Sequence, residues 1–164
     1  MTTSFSNKKA LRFVITLSTG KFGSSNNDRI TLQGFRASVD IDKTGGVQMG
    51  TLRAKIYGVS QSDMNACTAF TMQAPRDGGY LYQPNNVEVY AIDGDAESLV
   101  FAGNFVNAWA EYQNIPDVYL HIQAVSAAAA ALRPVPPRSF KGAVDVATVM
   151  GQIAHSMGFA FENN

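Results

Sequence analysis

The chain up to residue 126 alternates between apolar and polar positions with the two-residue period of a β-strand. Segments of this kind are separated by short polar or glycine-rich stretches, so the pattern predicts an antiparallel sheet with one buried face. The apolar positions of the alternating segments are Leu11, Phe13, Ile15 and Leu17; Ile30 and Leu32; Phe35, Ala37, Val39 and Ile41; Val47 and Met49; Leu52, Ala54 and Ile56; Val87, Val89 and Ala91; and Val118, Leu120, Ile122 and Ala124.

The alternation slips by one residue at two glycines, Gly34 and Gly50. Each lies inside what reads as one long strand, and a glycine at such a slip is typical of a β-bulge or a sharp bend. Bends at glycine let a sheet curl on itself. We therefore predict a mainly β protein with minor α structure, built on a curled antiparallel sheet or β-barrel.

Residues 99–112 form a strand with apolar residues on both faces. Strict alternation places Leu99, Phe101, Phe105 and Trp109 on one face, and the other face carries Val100, Ala102, Val106 and Ala108. A strand that is apolar on both faces is typically buried on both sides. We expect one side to face the core and the other to meet a partner or another element, which makes Trp109 a candidate interface residue.

One helix is predicted before residue 126, over residues 60–71. Ser60 is suited to cap it, Asp63 stands at the capping-box position, and Met64, Cys67 and Phe70 share one face. Because Cys67 belongs to that apolar face, we predict a core side chain rather than a nucleophile.

The alternating pattern ends at residue 126, and an Ala/Pro-rich stretch follows. Residues 1–126 are predicted to form the barrel, 127–138 an Ala/Pro-rich connector, and 139–164 the start of a second domain with the order strand, helix, strand. Asp145 is suited to begin that helix, Gly158 to end it, and Phe159 and Phe161 to begin a strand. The chain therefore reads as a piece of something larger. The apolar stripe of the helix is Val146, Val149, Met150, Ile153 and Met157.

Residues 139–164 offer little surface of their own to cover this stripe, so we predict that it packs on the barrel, on another copy or on further chain.

Charged residues make up 16% of the 164 residues and cancel to a net charge of zero. A neutral chain has no field that attracts nucleic acid or an anionic membrane, and its copies repel one another weakly. No apolar run approaches the length that spans a bilayer. Self-association is the natural expectation, with no nucleic-acid specificity and no membrane anchor.

Candidate chemistry is sparse. The histidines, His121 and His155, have no Cys, His or carboxylate at metal-ligand spacing. The carboxylate pairs 40/42 and 93/95 stand at a strand end and around a tight turn, both common solvated positions. With a single cysteine, no internal disulfide can form. We predict no catalytic, cofactor-binding or metal-binding residues, and no enzyme.

The loop over residues 20–28 is polar and long for a hairpin. Gly20 and Lys21 resemble the end of a phosphate-binding loop, but the upstream glycine is missing and Phe22 replaces the Ser or Thr that would hold magnesium. We instead expect an extended loop that touches a neighbouring subunit through Lys21 and Phe22.

The order of these segments resembles the N-terminal part of the baseplate or tail-tip hub proteins of tailed bacteriophages, the family related to late control protein D. The resemblance is carried by ITLQGFRASVDIDKTGG (30–46), MGTLRAKIYGVSQSDMNACT (49–68), FAGNFVNAWAEY (101–112) and above all SFKGAVDVATVMGQIAHSMGFAFENN (139–164). It implies trimers that close the tail tube, each subunit having two tube-like barrels, with central spike or fibre proteins attached to the other side. This chain departs from that pattern because it contains one barrel.

The resemblance implies a structural protein of the virion, made in the host bacterial cytoplasm. We expect a homo-oligomer, with a trimer favoured and a hexameric ring as the alternative, and we expect the tail tube protein and a spike or fibre protein as partners. A tail tube or distal tail ring subunit with the same barrel is one alternative function. A tail-associated cell-wall hydrolase using Asp93 and Asp95 is another. A lipocalin-like ligand barrel fits less well, because it would lack the helix near Ser60 and the proline-rich crossing.

Overall fold

The computed structural model describes residues 9–43, 48–70, 84–113, 115–131 and 137–162, and every structural statement concerns these residues. The protein is mainly β, with 44% strand and 18% helix, which confirms the predicted fold class. Its described residues up to Ala128 belong to one compact unit and those from Ala129 to a second. This boundary lies close to the predicted connector, and a second domain at 139–164 stays a prediction.

The first unit is a curled antiparallel sheet with one inserted helix. The sheet order is β2-β1-β6-β7-β8-β4-β3, and β5 pairs with β7 off this path. The elements are β1 (Lys9–Thr16), β2 (Arg29–Gln33), β3 (Ala37–Asp42), β4 (Thr51–Tyr57), α1 (Gln61–Cys67), β5 (Ala69–Phe70), β6 (Asn86–Asp93), β7 (Ala96–Glu111), β8 (Tyr119–Val125), α2 (Ala128–Ala131) and α3 (Val146–Met157).

Gly34 marks a corner of the sheet rather than a bulge inside one strand. The predicted long strand is divided into β2 and β3, which pair with β1 and β4 respectively. Gly34 has a φ of +81°, a left-handed conformation that glycine adopts without steric cost. Since β2 and β3 are the two ends of the sheet order, residues 34–36 carry the chain from one edge to the other. Ile30 of β2 and Val39 of β3 both pack against the same core.

The bend predicted at Gly50 is not inside a strand, because β4 begins at Thr51. Gly50 instead exchanges two hydrogen bonds with Ser126. Its amide donates to Ser126 Oγ (2.8 Å), and the Ser126 amide donates to the Gly50 carbonyl (2.8 Å). Val47, predicted to open this strand, lies outside the described residues.

The long strand β7 contains two register shifts, so its side chains do not face the two sides of the sheet as predicted. Val100 is an additional, unpaired residue of β7 opposite β6, and Val106 is another opposite β8. Each additional residue reverses which side chains face the core. As a result Leu99 points outward and is 53% exposed, whereas Ala108 is fully buried. Trp109 is therefore not on the core face with Phe101 and Phe105, and burial of the outer face by a partner stays a prediction.

Much of the predicted buried face is confirmed, but Phe35 and Met49 are exposed, so the prediction is wrong for these two residues. Leu120, Ile122 and Ala124 alternate inward along β8 as expected. The largest fully buried side chains are Phe13, Phe22, Ile15, Leu52, Ile56, Leu120, Ile122, Val87, Val89 and Cys67.

Both predicted helices form, but the first is shorter than predicted and the second has no strands beside it. Ser60 caps α1, but the helix ends at Cys67 and Phe70 lies in β5, so the prediction that Phe70 shares the helix face is wrong. Asp145 caps α3, and Gly158 ends it with a φ of +84°. The strands predicted on either side of α3 are also wrong, because the described residues 137–145 and 159–162 have irregular backbone.

Candidate functional site

The β1–β2 loop is folded back onto the protein. Phe22 is 1% exposed and belongs to the core, which removes it from the predicted interface. Its amide donates to the Asn27 carbonyl (2.9 Å), and its carbonyl accepts from the Asn26 amide (2.8 Å). These bonds close the loop and direct the ring inward. Lys21 remains exposed, and its interface role stays a prediction.

Asp63 at the start of α1 holds this loop in place. The carboxylate is 4% exposed, and Oδ1 accepts hydrogen bonds from the amide (3.2 Å) and Oγ (3.0 Å) of Ser24. Oδ2 accepts a 2.7 Å hydrogen bond from Ser60 Oγ. Burial alone would raise the pKa of Asp63, but the hydrogen bonds from Ser60 and Ser24 outweigh it and lower the pKa.

We expect Asp63→Asn to remove part of the acid sensitivity of folding. Above the ordinary carboxyl pKa of about 3.9, Asp63 is ionised in both states and its hydrogen bonds stabilise the fold in full. As the pH falls below that value the unfolded chain is protonated first, and this stabilisation is lost. The variant should lose about 1 kcal/mol at pH 7 and less at pH 3, measured by urea unfolding.

The matched control for that measurement is Asp28→Asn, an exposed carboxylate of the same loop. It should leave the stability and its pH profile within about 0.5 kcal/mol of the wild type. An Asp63→Asn profile that runs parallel to the wild type between pH 7 and pH 3 would contradict the assigned role of the carboxylate.

Four rings form a continuous band on the outer face of β4, β8 and β7, which we call the aromatic band: Tyr57, Tyr119, His121 and Trp109. Trp109 and His121 lie directly opposite each other and stack with ring centroids 4.1 Å apart and planes 9° apart. Tyr119 is 6.4 Å from His121 and 5.1 Å from Tyr57. Sheet register therefore brings together rings from three strands.

Cations lie beside the aromatic band. The guanidinium of Arg36 lies 4.3 Å from the Tyr57 ring centroid, and Lys55 Nζ lies 5.3 Å from that of Tyr119. Arg53 and Lys55 both point outward from β4 and are exposed. Burial lowers the pKa of His121, and the positive charge of Lys55 lowers it further, so the imidazole is neutral near pH 7. Arg36, Arg53 and Lys55 share this surface with acids, because exposed Asp40 lies opposite Arg53 and Asp117 pairs with Arg36.

The β6–β7 hairpin carries the opposite charge, and we call its residues 93–97 the acidic hairpin. Asp93 forms an ion pair with Lys9, and Glu97 forms one with Arg12. Asp95 lies in the turn between the strands and is exposed. Leu99 lies two residues after Glu97 on β7, and its exposed apolar side chain is therefore close to the hairpin in sequence.

The helix α3 exposes much of its apolar stripe. Val146 is 74% exposed, Met150 and Ile153 are also exposed, and Val149 and Met157 are half-buried. Phe161 returns onto the helix, where its ring lies close to Gly151. The interface role predicted for this stripe stays a prediction.

Cys67 is buried, and burial followed by the nearby Asp63 raises the pKa of the thiol to about 12, so it stays protonated and inert. Across the described ranges, no group of three His, Cys, Asp or Glu side chains could hold a metal ion. In the same residues, no helix is both long and apolar enough to cross a bilayer.

Sequence reasoning identified Trp109 but missed the residues around it. Tyr57 and Lys55 occupy the polar positions of β4, and Tyr119 shares the outer face of β8 with His121. Alternation alone places each of these on the outer face. Their proximity depends on the β4–β8 and β7–β8 registers, in which Lys55 and Trp109 flank His121. Arg36 lies just before β3, outside the alternating pattern, so the sequence does not predict which way its side chain points.

No protein-family model matches the chain, and a search of the curated proteins finds no match. In the part of the chain that the structure describes, the fold is a curled β-sheet with several side-chain patches on its outer face.

Proposed function

We propose that the protein is a structural component of a phage or phage-derived tail, namely the barrel of a baseplate or tail-tip hub. It would assemble into a ring that joins the tail tube to the central spike or fibres. The observation that carries this proposal is the curled seven-stranded antiparallel sheet with one helix inserted after β4. This is the architecture that the resemblance to hub proteins implies.

The surfaces support an assembly role rather than catalysis. Tyr, Trp and Arg are the residues that most often dominate protein–protein binding energy, and the aromatic band with Arg36 supplies all three. The exposed stripe of α3 adds apolar surface of the kind that interfaces bury. A net charge of zero leaves repulsion between copies weak.

The proposal includes a homo-oligomer in the virion, with the tail tube protein on one side and a spike or fibre protein on the other. A trimer is favoured, because the resemblance is to trimeric hubs. A ring of six single barrels is the alternative, and it would correspond to a tail tube or distal tail subunit.

We expect the purified chain to form closed rings, because the hub proteins that the sequence resembles assemble into rings. Native mass spectrometry or light scattering with size exclusion should give three copies for a hub and six for a tube-like ring. Measurement over a dilution series separates a defined ring from open-ended aggregation. A chain that remains monomeric at its highest attainable concentration would contradict the proposed ring.

A further inference from the structure

His121 lies on the outer face of the sheet between a tryptophan and a lysine. It is directly opposite Trp109 of β7 on one side and Lys55 of β4 on the other. The imidazole and the indole are stacked, with ring centroids 4.1 Å apart and planes 9° apart. One face of the Trp109 ring is therefore covered by a side chain that gains a proton close to physiological pH.

The Nε2 atom of His121 is buried and has no hydrogen-bond partner among the described residues. A neutral imidazole carries one N–H donor, whereas a protonated imidazole donates from both of its nitrogens. In the stacked position, protonation would leave the N–H at Nε2 out of contact with water and without an acceptor, which is costly for a charged donor. The stacked position therefore suits the neutral ring and penalises the charged one.

The cations that face His121 come from β4. Lys55 lies between Ser38 of β3 and His121 of β8, and none of the ion pairs among the described residues includes it. Arg53 is the next outward residue of β4, and exposed Asp40 lies opposite it. Lys55 is therefore the cation whose charge acts most directly on the imidazole.

Glu111 of β7 is the acid that faces His121, and it offsets these cations only in part. Its carboxylate accepts hydrogen bonds from the Trp109 indole N–H (3.3 Å) and from the Gln113 amide (2.9 Å). Burial and Lys55 lower the pKa of His121, Glu111 raises it, and the net change is downward. The remaining titratable neighbour, Tyr119, is a phenol, a group that gains no charge on acidification.

We propose that the Trp109–His121 stack is a pH-sensitive contact that opens on acidification. A proton on His121 adds a charge beside Lys55 and an unpaired donor at Nε2, and both are relieved when the imidazole turns away from the indole into water. Attraction between a charged imidazole and the indole face favours the stacked position, but the burial of Nε2 and the charge of Lys55 outweigh it. Acid thereby uncovers the Trp109 ring. The inference concerns the folded chain and does not rest on the proposed tail function.

The pH range of this opening follows from the direction of the pKa change. Because the stacked state holds the pKa of His121 below the ordinary value of about 6.5, the stack has its full stability above that pH. As the pH falls further, the turned-out ring binds a proton before the stacked ring does, and the stack is progressively lost. The midpoint therefore lies below about 6.5.

The test is a pH titration of the full chain followed by tryptophan fluorescence, since Trp109 is the single tryptophan of the sequence. Between about pH 8 and about pH 5, the emission should shift to longer wavelength as water reaches the indole, while the far-ultraviolet circular dichroism stays constant. His121→Phe keeps an aromatic ring that cannot titrate, so it should abolish the shift. Lys55→Gln should raise the proton affinity of His121 about threefold and move the midpoint to higher pH.

His155→Gln and Lys141→Gln are the matched controls, because His155 is the other histidine of the chain and both side chains are exposed. Each should leave the fluorescence midpoint unchanged. A loss of intensity without a wavelength shift would mean that His121 is protonated within an intact stack, and it would overturn the opening. A shift that persists in His121→Phe, a shift that coincides with loss of the circular dichroism signal, or no response to pH would overturn it equally.

Discussion

Replacing Phe22 by alanine is expected to lower the free energy of unfolding by about 3 to 5 kcal/mol, as for other large-to-small changes of a buried phenylalanine. Phe22 is 1% exposed and is among the largest fully buried side chains, although it belongs to a polar loop. Removing the ring leaves a cavity that the loop, held by Asp63, cannot easily collapse to fill. Denaturant unfolding followed by circular dichroism measures the loss.

Lys21→Ala is the control for that experiment, because the adjacent side chain is exposed. It should change stability by less than about 0.5 kcal/mol. If Phe22→Ala were equally mild while assembly was lost, the ring would be an interface anchor, as the loop pattern first indicated, and the core assignment would be wrong.

A second large effect is expected from Gly103→Val, which should lower the free energy of unfolding by about 3 kcal/mol. A Cβ atom at Gly103 would lie 2.7 Å from both Phe101 Cε1 and the Val125 carbonyl oxygen. The aromatic ring can move, but the carbonyl is backbone at the end of β8. The substitution therefore forces β7 and β8 apart where their pairing begins.

Ala102→Val makes a similar change one residue away, where the side chain is exposed. A β-branched residue suits an exposed strand position, so stability should stay within about 0.5 kcal/mol of the wild type. Equal melting temperatures for the two variants would show that the close approach at Gly103 relaxes without cost.

Much of the fold was predictable because alternation reports which side of a strand is buried. The segment containing Leu120 and Ile122 became β8 as expected, and the Ser60 cap began α1. The faces of β7 were not predictable, since its apolar residues on both sides hide the register shifts at Val100 and Val106. A bulge is set by pairing with neighbouring strands, and no local residue marks it.

The candidate surfaces were predictable only in part. Trp109 was identified from an apolar pattern, yet its orientation toward His121 follows from the second register shift. Phe22 was misassigned because its loop is polar, and only the distant Ser24–Asp63 hydrogen bonds explain why the loop folds inward. The register between strands and the hydrogen bonds between distant residues cannot be inferred from the periodicity of the sequence.

The corner at residues 34–36 has a consequence for how copies avoid uncontrolled aggregation. An open sheet has two edge strands whose unpaired backbone groups can template pairing with any other chain. Here the end strands β2 and β3 are consecutive in the chain and pack on one core, so residues 34–36 bring the ends of the two edge strands together, although these strands do not pair with each other. The unpaired edge of β3 carries the exposed acids Asp40 and Asp42, and charged side chains on an edge strand oppose pairing with another chain.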